Sequence, residues 1–407
     1  MHRSAVNNFY GTIRPVLLVA KLIFFFFETI DGKSRTIRRT LLDQLCFIVT
    51  ILMDLYIIPL GIWGSSGYLR LTDSLLINVG IYGSIVACYL CSLALPWVIR
   101  LKSYQIFELL DNMNQFDIEM LQMGYAVDHQ LWRQYSILSM CGGTSIAGVV
   151  LAISLVFRSG NSWLDMSAMF PDYWTILAFT RASIGASVFG GAFGLLLMFL
   201  KSRFVLLNQV MTKVIKTKRR RVQPEKLDIL LRKLADIYDL LHDATELFNH
   251  SYCVQAMLLL SSAFVYVIFT VFGLIHAYAA NADVATIRVV MANMVYNIFC
   301  SGFIIQLVLP ASMLNDECRK TSALVHKMVS YLPHHYGLQR ELRCFSQQLL
   351  HSPPKITCRM FDYDWTLFYA LAGSLTTYLV ILLQFDVGNI NMTKLADKPN
   401  IPDDVFV

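Results

Sequence analysis

The stretch YDWTLFYALAGSLTTYLVILLQF, residues 363–385, decides the fold class of this chain. Asp364 is its only charged residue, and most of the rest is apolar or aromatic. A helix needs about 20 mostly apolar residues to cross the roughly 30 Å hydrocarbon core of a bilayer. The stretch is therefore predicted to be a transmembrane helix.

Six further runs of this kind precede it, at residues 45–64, 75–99, 136–157, 173–200, 253–280 and 289–312. Hydrocarbon offers no partner for backbone polar groups, so such runs must be helical, and their continuous hydrophobicity excludes a β-barrel. The composition agrees, because 56% of the residues are hydrophobic and 15% are charged, against about 25% charged in soluble domains. The sequence predicts an all-α membrane protein with seven transmembrane helices, four in residues 45–200, two in 253–312 and the last in 363–385.

The positions of Lys and Arg predict the orientation. Of the 34 basic residues, 28 lie in segments 1–44, 100–135, 201–252 and 313–362, and five lie in the alternate loops and the tail. Basic residues concentrate in cytoplasmic loops. The N-terminus is therefore predicted to be cytoplasmic and the tail, residues 386–407, extracellular, where Asn391 forms a glycosylation sequon.

The net charge of +6 follows from this loop asymmetry, so no nucleic-acid partner is expected. The run KTKRRR at 216–221 is interpreted as a cytoplasmic loop that follows the topology rule, and attraction to anionic inner-leaflet lipid is the alternative. No metal or cofactor is expected either. Cys88 and Cys91 have CxxC spacing, but they lie in a membrane helix and the sequence has no second cysteine pair to complete a metal site. They are therefore interpreted as small packing residues rather than metal ligands.

The cytoplasmic segments are predicted to contain helices. Residues 15–27 are apolar but too short to span the bilayer, and we expect an interfacial or re-entrant helix within segment 1–44. A helix from Pro224 carries apolar residues at spacings of three and four and continues into the fifth span. Its apolar seam either packs within its own subunit or gathers subunits beneath the membrane. A second helical extension is expected in 313–362, interrupted at Pro353-Pro354.

Polar residues inside the spans are candidates for a ligand pocket, because they are expensive in hydrocarbon. Asp54 and Arg181 lie at similar depths, so we expect them to pair or to share a water-filled cavity in the outer half of the bundle. Asn293, Tyr296 and Asn297 share one helical face. Interhelical hydrogen bonds and an interfacial aromatic belt are the alternative. The predicted pocket residues are Asp54, Trp174, Arg181, Asn293, Tyr296 and Asn297.

One face of the last span is mildly polar. Its residues follow one another at helical spacing, so they form a continuous stripe, and they are Ser374, Thr377, Ile381 and Gln384. Such a stripe is either packing between helices or the lining of a water-filled axis surrounded by several copies of the helix.

The end of this span resembles a family signature. Thr377 and Tyr378, five hydrophobic residues (LVILL), Gln384 and Phe385 resemble the T-Y-(five hydrophobic)-Q-F motif of insect gustatory receptors. The seven spans, the cytoplasmic N-terminus and the short outer loops extend the resemblance over nearly the whole chain.

The resemblance implies a tastant-gated nonselective cation channel in the plasma membrane of sensory neurons, assembled as a tetramer with itself or with related receptors. It implies that Gln384 and Phe385 form the gate, with Thr377 and Ile381 on the pore wall and Ser374 on the same stripe. Tyr378 is expected to pack back on its own bundle. Sugar-sensing relatives often carry Glu after the motif Tyr, whereas this chain has Leu379, which favours an aversive or bitter tastant over a fructose-type sugar.

Rival classes remain open at this stage. A G-protein-coupled receptor would place its N-terminus outside and would carry D-R-Y and N-P-x-x-Y motifs, which this chain lacks. A secondary transporter would show paired half-repeats and broken helices. An enzyme would need a cluster of catalytic side chains within the membrane, and the sequence indicates none, so the chain is not predicted to be an enzyme.

Overall fold

The computed structural model of the chain describes residues 9–23, 26–31, 36–65, 75–159, 173–217, 224–279, 284–331, 336–351 and 353–396. Helices dominate these residues. In chain order the elements are α1 (Phe9–Leu22), β1 (Thr29–Asp31), β2 (Thr36–Arg38), α2 (Leu41–Ser65), α3 (Leu75–Leu101), α4 (Ser103–Gln122), α5 (His129–Ser159), α6 (Tyr173–Thr217), α7 (Pro224–Ala279), α8 (Val284–Tyr331), α9 (Tyr336–His351) and α10 (Trp365–Ala396).

Seven of these helices are long and apolar enough to cross a membrane, namely α2, α3, α5, α6, α7, α8 and α10. The predicted all-α class and the seven spans are therefore confirmed. Apolar side chains such as Leu45, Val49 and Leu52 of α2 are exposed on the outside of the bundle. Exposed apolar surface on this scale is typical of a protein whose solvent is lipid.

Three helices are much longer than a bilayer is thick. The helices α6, α7 and α8 contain 45, 56 and 48 residues, which is about 68, 84 and 72 Å at 1.5 Å per residue. Each continues without interruption from the membrane-spanning bundle into an extension. The extensions of α6, α7 and α8 pack with α4 and α9 into a second layer at one end of the bundle.

The apolar seam of α7 is buried inside this layer. Of its seven residues, Leu230 is partly buried against the core and the other six are no more than 7% exposed, namely Leu227, Leu234, Ile237, Leu241, Ala244 and Phe248. Tyr238, also on α7, packs its ring against Phe345 of α9 at 5.2 Å between centroids. The seam thus packs mainly within its own chain, as the first of the two interpretations has it.

The N-terminal helix differs from the prediction. The sequence placed it at residues 15–27, but α1 begins at Phe9 and ends at Leu22, and Phe26 and Phe27 lie beyond it. Phe9, Tyr10 and Ile13 are buried, which explains the earlier start. The helix packs against α4 and α5, and Pro15 lies inside it. The antiparallel pair β1–β2, with Thr29 opposite Arg38, leads back to α2.

The C-terminal helix is longer than expected. The sequence ended the last span at Phe385, whereas α10 continues to Ala396, because nothing in DVGNINMTKLA prevents a helix. The predicted tail therefore begins with about three helical turns. Asn391 lies in these turns, where the structure describes the backbone alone, and residues 397–407 lie outside the described part of the chain.

Candidate ligand cavity and C-terminal helix

A tight turn precedes the C-terminal helix and sets its position. The backbone N–H of Tyr363 donates to the Ile356 carbonyl at 2.9 Å, and that of Cys358 donates to Phe361 at 3.2 Å. Between them Arg359 has a φ of 69°, in the left-handed region that non-glycine residues seldom adopt. Its N–H donates to the Thr357 hydroxyl at 3.0 Å. We call residues 353–364 the connector.

Two asparagines hold the connector to the long helices. The Asn249 side chain of α7 donates to the Lys355 carbonyl at 2.6 Å and accepts from the Thr357 N–H at 3.2 Å. The Asn315 side chain of α8 accepts from the Ile356 N–H at 3.1 Å. An amide side chain with both a donor and an acceptor satisfies loop backbone that no secondary structure pairs. The connector is thus attached to both α7 and α8.

Asp364 begins the C-terminal helix. Its side chain accepts from the N–H groups of Thr366 and Leu367, as a helix N-cap does. Burial raises the pKa of Asp364, but the hydrogen bonds from the Thr366 hydroxyl and the two N–H groups lower it by more, so the net pKa lies below its ordinary value. The cap is therefore ionised at neutral pH, where its charge also favours the helix N-terminus.

The helix α10 leans on the bundle by one side only. Leu367, Phe368, Leu371 and Leu375 pack against the core. No residue is buried in its membrane-spanning part, Trp365–Phe385. In the most apolar parts of the other six spans, 22% to 78% of the residues are buried. Thr377, Ile381 and Gln384 lie on the exposed side, and Ser374 is partly buried at its margin.

Tyr378 does not follow its expectation. The sequence predicted that it packs on its own bundle, but its side chain is 52% exposed. At 100° per residue it shares the helical face of Leu367 and Leu371, as does Phe385 further along α10, which is 66% exposed. Both rings are therefore available to a surface outside this chain.

A cavity of about 40 Å³ lies between α3, α6, α7 and α8. One water needs about 10–15 Å³ by this measure, so the space is several times larger. Tyr296 and Phe303 lie 7 and 14 residues into the run 289–312, about 10 and 21 Å from its start, so the cavity is central rather than in the outer half. The lining is Ser84, Ile85, Cys88, Tyr89, Phe179, Ala186, Leu259, Ser262, Ala263, Tyr266, Tyr296, Phe299, Cys300 and Phe303.

The cavity wall is aromatic with a few polar groups. The Tyr296 ring packs against Phe179 at 4.6 Å and against Tyr266 at 5.1 Å between centroids. The hydroxyls of Tyr296 and Ser183 are 3.1 Å apart and share a hydrogen bond. Such a wall suits a small, largely apolar ligand with one or two polar atoms, and the 40 Å³ space has to widen to admit one, since small-molecule pockets have roughly 300–1,000 Å³.

The three polar residues predicted on one face of α8 lie in different surroundings. Tyr296 lines the cavity, and Asn293 stands beside it, accepting from the Tyr266 hydroxyl at 3.5 Å. Asn297 is buried and donates to the Thr270 hydroxyl of α7 at 2.9 Å, while its oxygen accepts from Ser301. For Asn297 the alternative interpretation, an interhelical hydrogen bond, describes what the structure shows.

Asp54 and Arg181 form the predicted pair. The Arg181 guanidinium donates to both carboxylate oxygens of Asp54, at 3.2 and 3.3 Å, and to the Ile23 carbonyl at 3.4 Å. The pair therefore joins α2 and α6 to the chain just after α1, and neither residue is among the lining of the cavity. Its contact with Ile23 ties the residue that follows α1 to α6.

Trp174 is not among the lining residues of the cavity either. Its ring meets Tyr56 of α2 edge-on at 5.1 Å between centroids. It packs beside a small cluster that includes Ile57, Ala178 and Tyr89. Of the six residues predicted for one pocket, the structure brings Tyr296 to the cavity, places Asn293 beside it and distributes the other four over structural contacts.

Sequence reasoning missed a second buried ion pair. The Arg203 guanidinium of α6 is fully buried and donates to both oxygens of Asp117 on α4, at 3.1 and 2.7 Å. Phe9 of α1 lies under the guanidinium at 5.0 Å. Both charges fell in segments assigned to the cytoplasm, where charged residues carry no signal. The pair joins α1, α4 and α6 at the base of the bundle.

Comparison with known proteins agrees with this architecture. Residues 13–389 match the model of the 7tm chemosensory receptor family. Gustatory receptor 28b of Drosophila melanogaster is 20% identical over 95% of this chain and 87% of its own length.

Among solved structures, the insect olfactory receptor OR5 from Machilis hrabei superposes with a TM-score of 0.66 at 11% identity, covering 92% of this chain and 97% of that one. The same receptor in complex with eugenol gives a TM-score of 0.65 over the same shares. At this identity the likeness establishes the fold. The family model covers most of the chain, so this multi-pass membrane protein belongs to the 7tm chemosensory receptor family and is a receptor rather than an enzyme.

Proposed function

We propose that the chain is a tastant-gated nonselective cation channel of the plasma membrane of sensory neurons, in which four copies of α10 surround a water-filled pore. The observation that carries this proposal is the exposure of α10. Among the described spans, it is the one whose apolar stretch, Trp365–Phe385, contains no buried residue. A helix covered on one side by its own bundle leaves its other side for neighbouring copies and for the pore.

The polar stripe of α10 favours water over lipid on that side. Thr376 and Thr377 donate to carbonyls one turn earlier in their own helix, which makes them tolerable in lipid. Gln384 is exposed, and no described residue hydrogen-bonds its amide. An unpaired amide in hydrocarbon costs roughly 2–7 kcal/mol. A water-filled axis removes that cost, and Phe385, one residue on, would close the axis by dewetting.

The connector offers a physical route from ligand to gate. The helix α8 carries Tyr296 in the cavity wall and Asn315 at the connector, 19 residues or about 29 Å apart along one uninterrupted helix. Asn249 links α7 to the same turn. A ligand that shifts α8 against α7 would therefore move the turn from which α10 starts.

The cavity supports an aversive, largely apolar tastant. A sugar presents hydroxyls on every side and needs a comparable number of partners, because an unpaired buried hydroxyl is costly. Five of the fourteen lining residues carry a hydroxyl, and the other nine are aromatic, aliphatic or cysteine; the five are Ser84, Tyr89, Ser262, Tyr266 and Tyr296. Eugenol, held by the olfactory receptor that shares this fold, is an aromatic phenol of the apolar kind.

Within this proposal the sequence-predicted residues have separate roles. Tyr296, with Asn293 beside it, contacts the tastant, while Asp54, Arg181, Asn297 and Trp174 hold the helices that form the cavity. Gln384 and Phe385 form the gate, and Thr377 and Ile381 line the pore. An extracellular C-terminus would make Asn391 available for a glycan.

Whole-cell recording with ion substitution, in cells without an added G protein, tests the proposal. A ligand-evoked, weakly selective cation current is expected, and Gln384→Ala should change its ion selectivity or its open probability. Gln347→Ala makes the same chemical change on the exposed surface of α9 and serves as the control. A current that needs nucleotide or a second messenger would indicate a G-protein-coupled receptor, and substrate flux without unitary conductance would indicate a transporter.

A further inference from the structure

A second concave site lies between the extensions of α6 and α8, away from the ligand cavity. It has a volume of about 520 Å³, within the range of roughly 300–1,000 Å³ that is typical of small-molecule pockets. It shares no lining residue with the cavity. We call it the basic groove, and its lining is Val205, Asn208, Gln209, Thr212, Lys213, Lys216, Glu317, Lys320, Ala323, Leu324 and Lys327.

The basic groove has an excess of positive charge. Four lysines and one glutamate line it, and the glutamate is already engaged. The Glu317 carboxylate accepts from Lys320 at 2.6 Å and from the Asn208 amide at 3.3 Å. Lys213, Lys216 and Lys327 are exposed, and no described carboxylate pairs with any of them. Their mutual repulsion is relieved when a polyanion binds between them.

Neutral donors accompany the lysines. The Lys213 ammonium lies 4.8 Å from the centre of the Tyr125 ring, which holds it at one edge of the groove. Asn208 is buried and fixed, because its oxygen accepts from Thr321 while its nitrogen donates to Glu317. Gln209 is exposed beside it. Ammonium groups on both walls and an amide between them are the donors that phosphate oxygens take.

We propose that the basic groove binds a multiply phosphorylated small anion, of the inositol polyphosphate type, and that the anion joins α6 to α8. The function of the receptor as a channel is not needed for this binding. The run KTKRRR begins at Lys216, so its remaining basic residues, which lie outside the described part of the chain, follow directly from the groove in sequence.

The depth of the lysines favours a soluble anion over a lipid headgroup. Lys213 is 13 residues beyond the predicted end of the fourth span, and Lys327 is 15 residues beyond that of the sixth, which is about 20 and 22 Å along each helix. The headgroup layer adds only about 5–8 Å to each side of the hydrocarbon core. A phosphate carried by an embedded lipid would therefore lie well short of these two ammonium groups.

Binding of inositol hexakisphosphate to the full chain in phosphatidylcholine nanodiscs tests the proposal. The triple variant Lys213→Gln/Lys216→Gln/Lys327→Gln should bind inositol hexakisphosphate about a hundredfold more weakly. The reason is that each lost lysine removes about one solvent-screened charge contact with a phosphate. The matched control Arg133→Gln/Arg319→Gln/Arg343→Gln removes the same charge from exposed positions outside the groove and should bind as the parent does. The Lys→Arg triple variant, which keeps the charges, should retain binding and shows that the positions tolerate change.

Three results would overturn the proposal. They are an equal loss of affinity in the two charge-removing variants, the absence of saturable binding to the parent, and binding of phosphatidylinositol 4,5-bisphosphate in nanodiscs without binding of the free anion. The last result would assign the groove to a lipid headgroup. No tastant and no current enter the measurement, so a failure here is distinct from a failure of the proposed channel function.

Discussion

Removal of either partner of the Asp54–Arg181 pair should destabilise the receptor strongly, and removal of both should be milder than the sum. The side chains are 2% and 16% exposed. Loss of one partner from a buried ion pair costs about 3–5 kcal/mol, because the other charge is left uncompensated. Arg181 also donates to the Ile23 carbonyl, so Arg181→Gln should cost more than Asp54→Asn. The double variant should then be about as stable as the Arg181→Gln variant alone.

The expected coupling free energy between the two sites is therefore about 3–5 kcal/mol, the cost of the Asp54→Asn substitution alone. Thermal unfolding in detergent, followed by fluorescence-detected size-exclusion chromatography, measures it for the parent, the two single variants and the double variant. About 1 kcal/mol shifts Tm by roughly 2–4 °C in domains of 150–250 residues and by less in larger ones, so the singles should lose several degrees. Tm losses that add without coupling would refute the pairing.

Three further outcomes follow from the same structure. Asn249→Ala removes the two hydrogen bonds that this side chain makes to the connector. It should raise the tastant concentration that gives half-maximal current, while the affinity of the cavity, measured with a radioligand, should stay unchanged. Tyr296→Ala should weaken tastant binding itself, by about tenfold or more, since a buried ring is lost; unchanged affinity would place the ligand elsewhere. Gly61→Ala puts a Cβ 2.5 Å from that of Ala178, so α2 and α6 must separate and the yield of folded receptor should fall, whereas Gly83→Ala meets no atom and should not change it.

The sequence predicts the spans and the Asp54–Arg181 pair for simple physical reasons. Length and hydropathy alone identify a membrane helix. Two opposite charges at similar depth in hydrocarbon have few other partners available. Their pairing can therefore be predicted without knowledge of the fold. The same reasoning does not apply to Arg203 and Asp117, because a charge in an aqueous segment is ordinary until burial is known.

The cavity could not be derived in this way. Its lining comes from four helices, and most of it is indistinguishable in sequence from lipid-facing residues. Asn297 and Tyr296 are neighbours in sequence, yet one bonds to α7 and the other faces the cavity. The rotation of each helix against its neighbours decides such differences, and packing, not local sequence, sets that rotation.

Cryo-electron microscopy of the assembled receptor tests the central claim most directly, through the distance of the Gln384 side chain from the symmetry axis. The channel proposal predicts four α10 helices around one axis, with the Gln384 amides pointing into a water-filled path and Phe385 beside them. An assembly in which α10 lies at the outer edge, with Gln384 facing lipid, would contradict it.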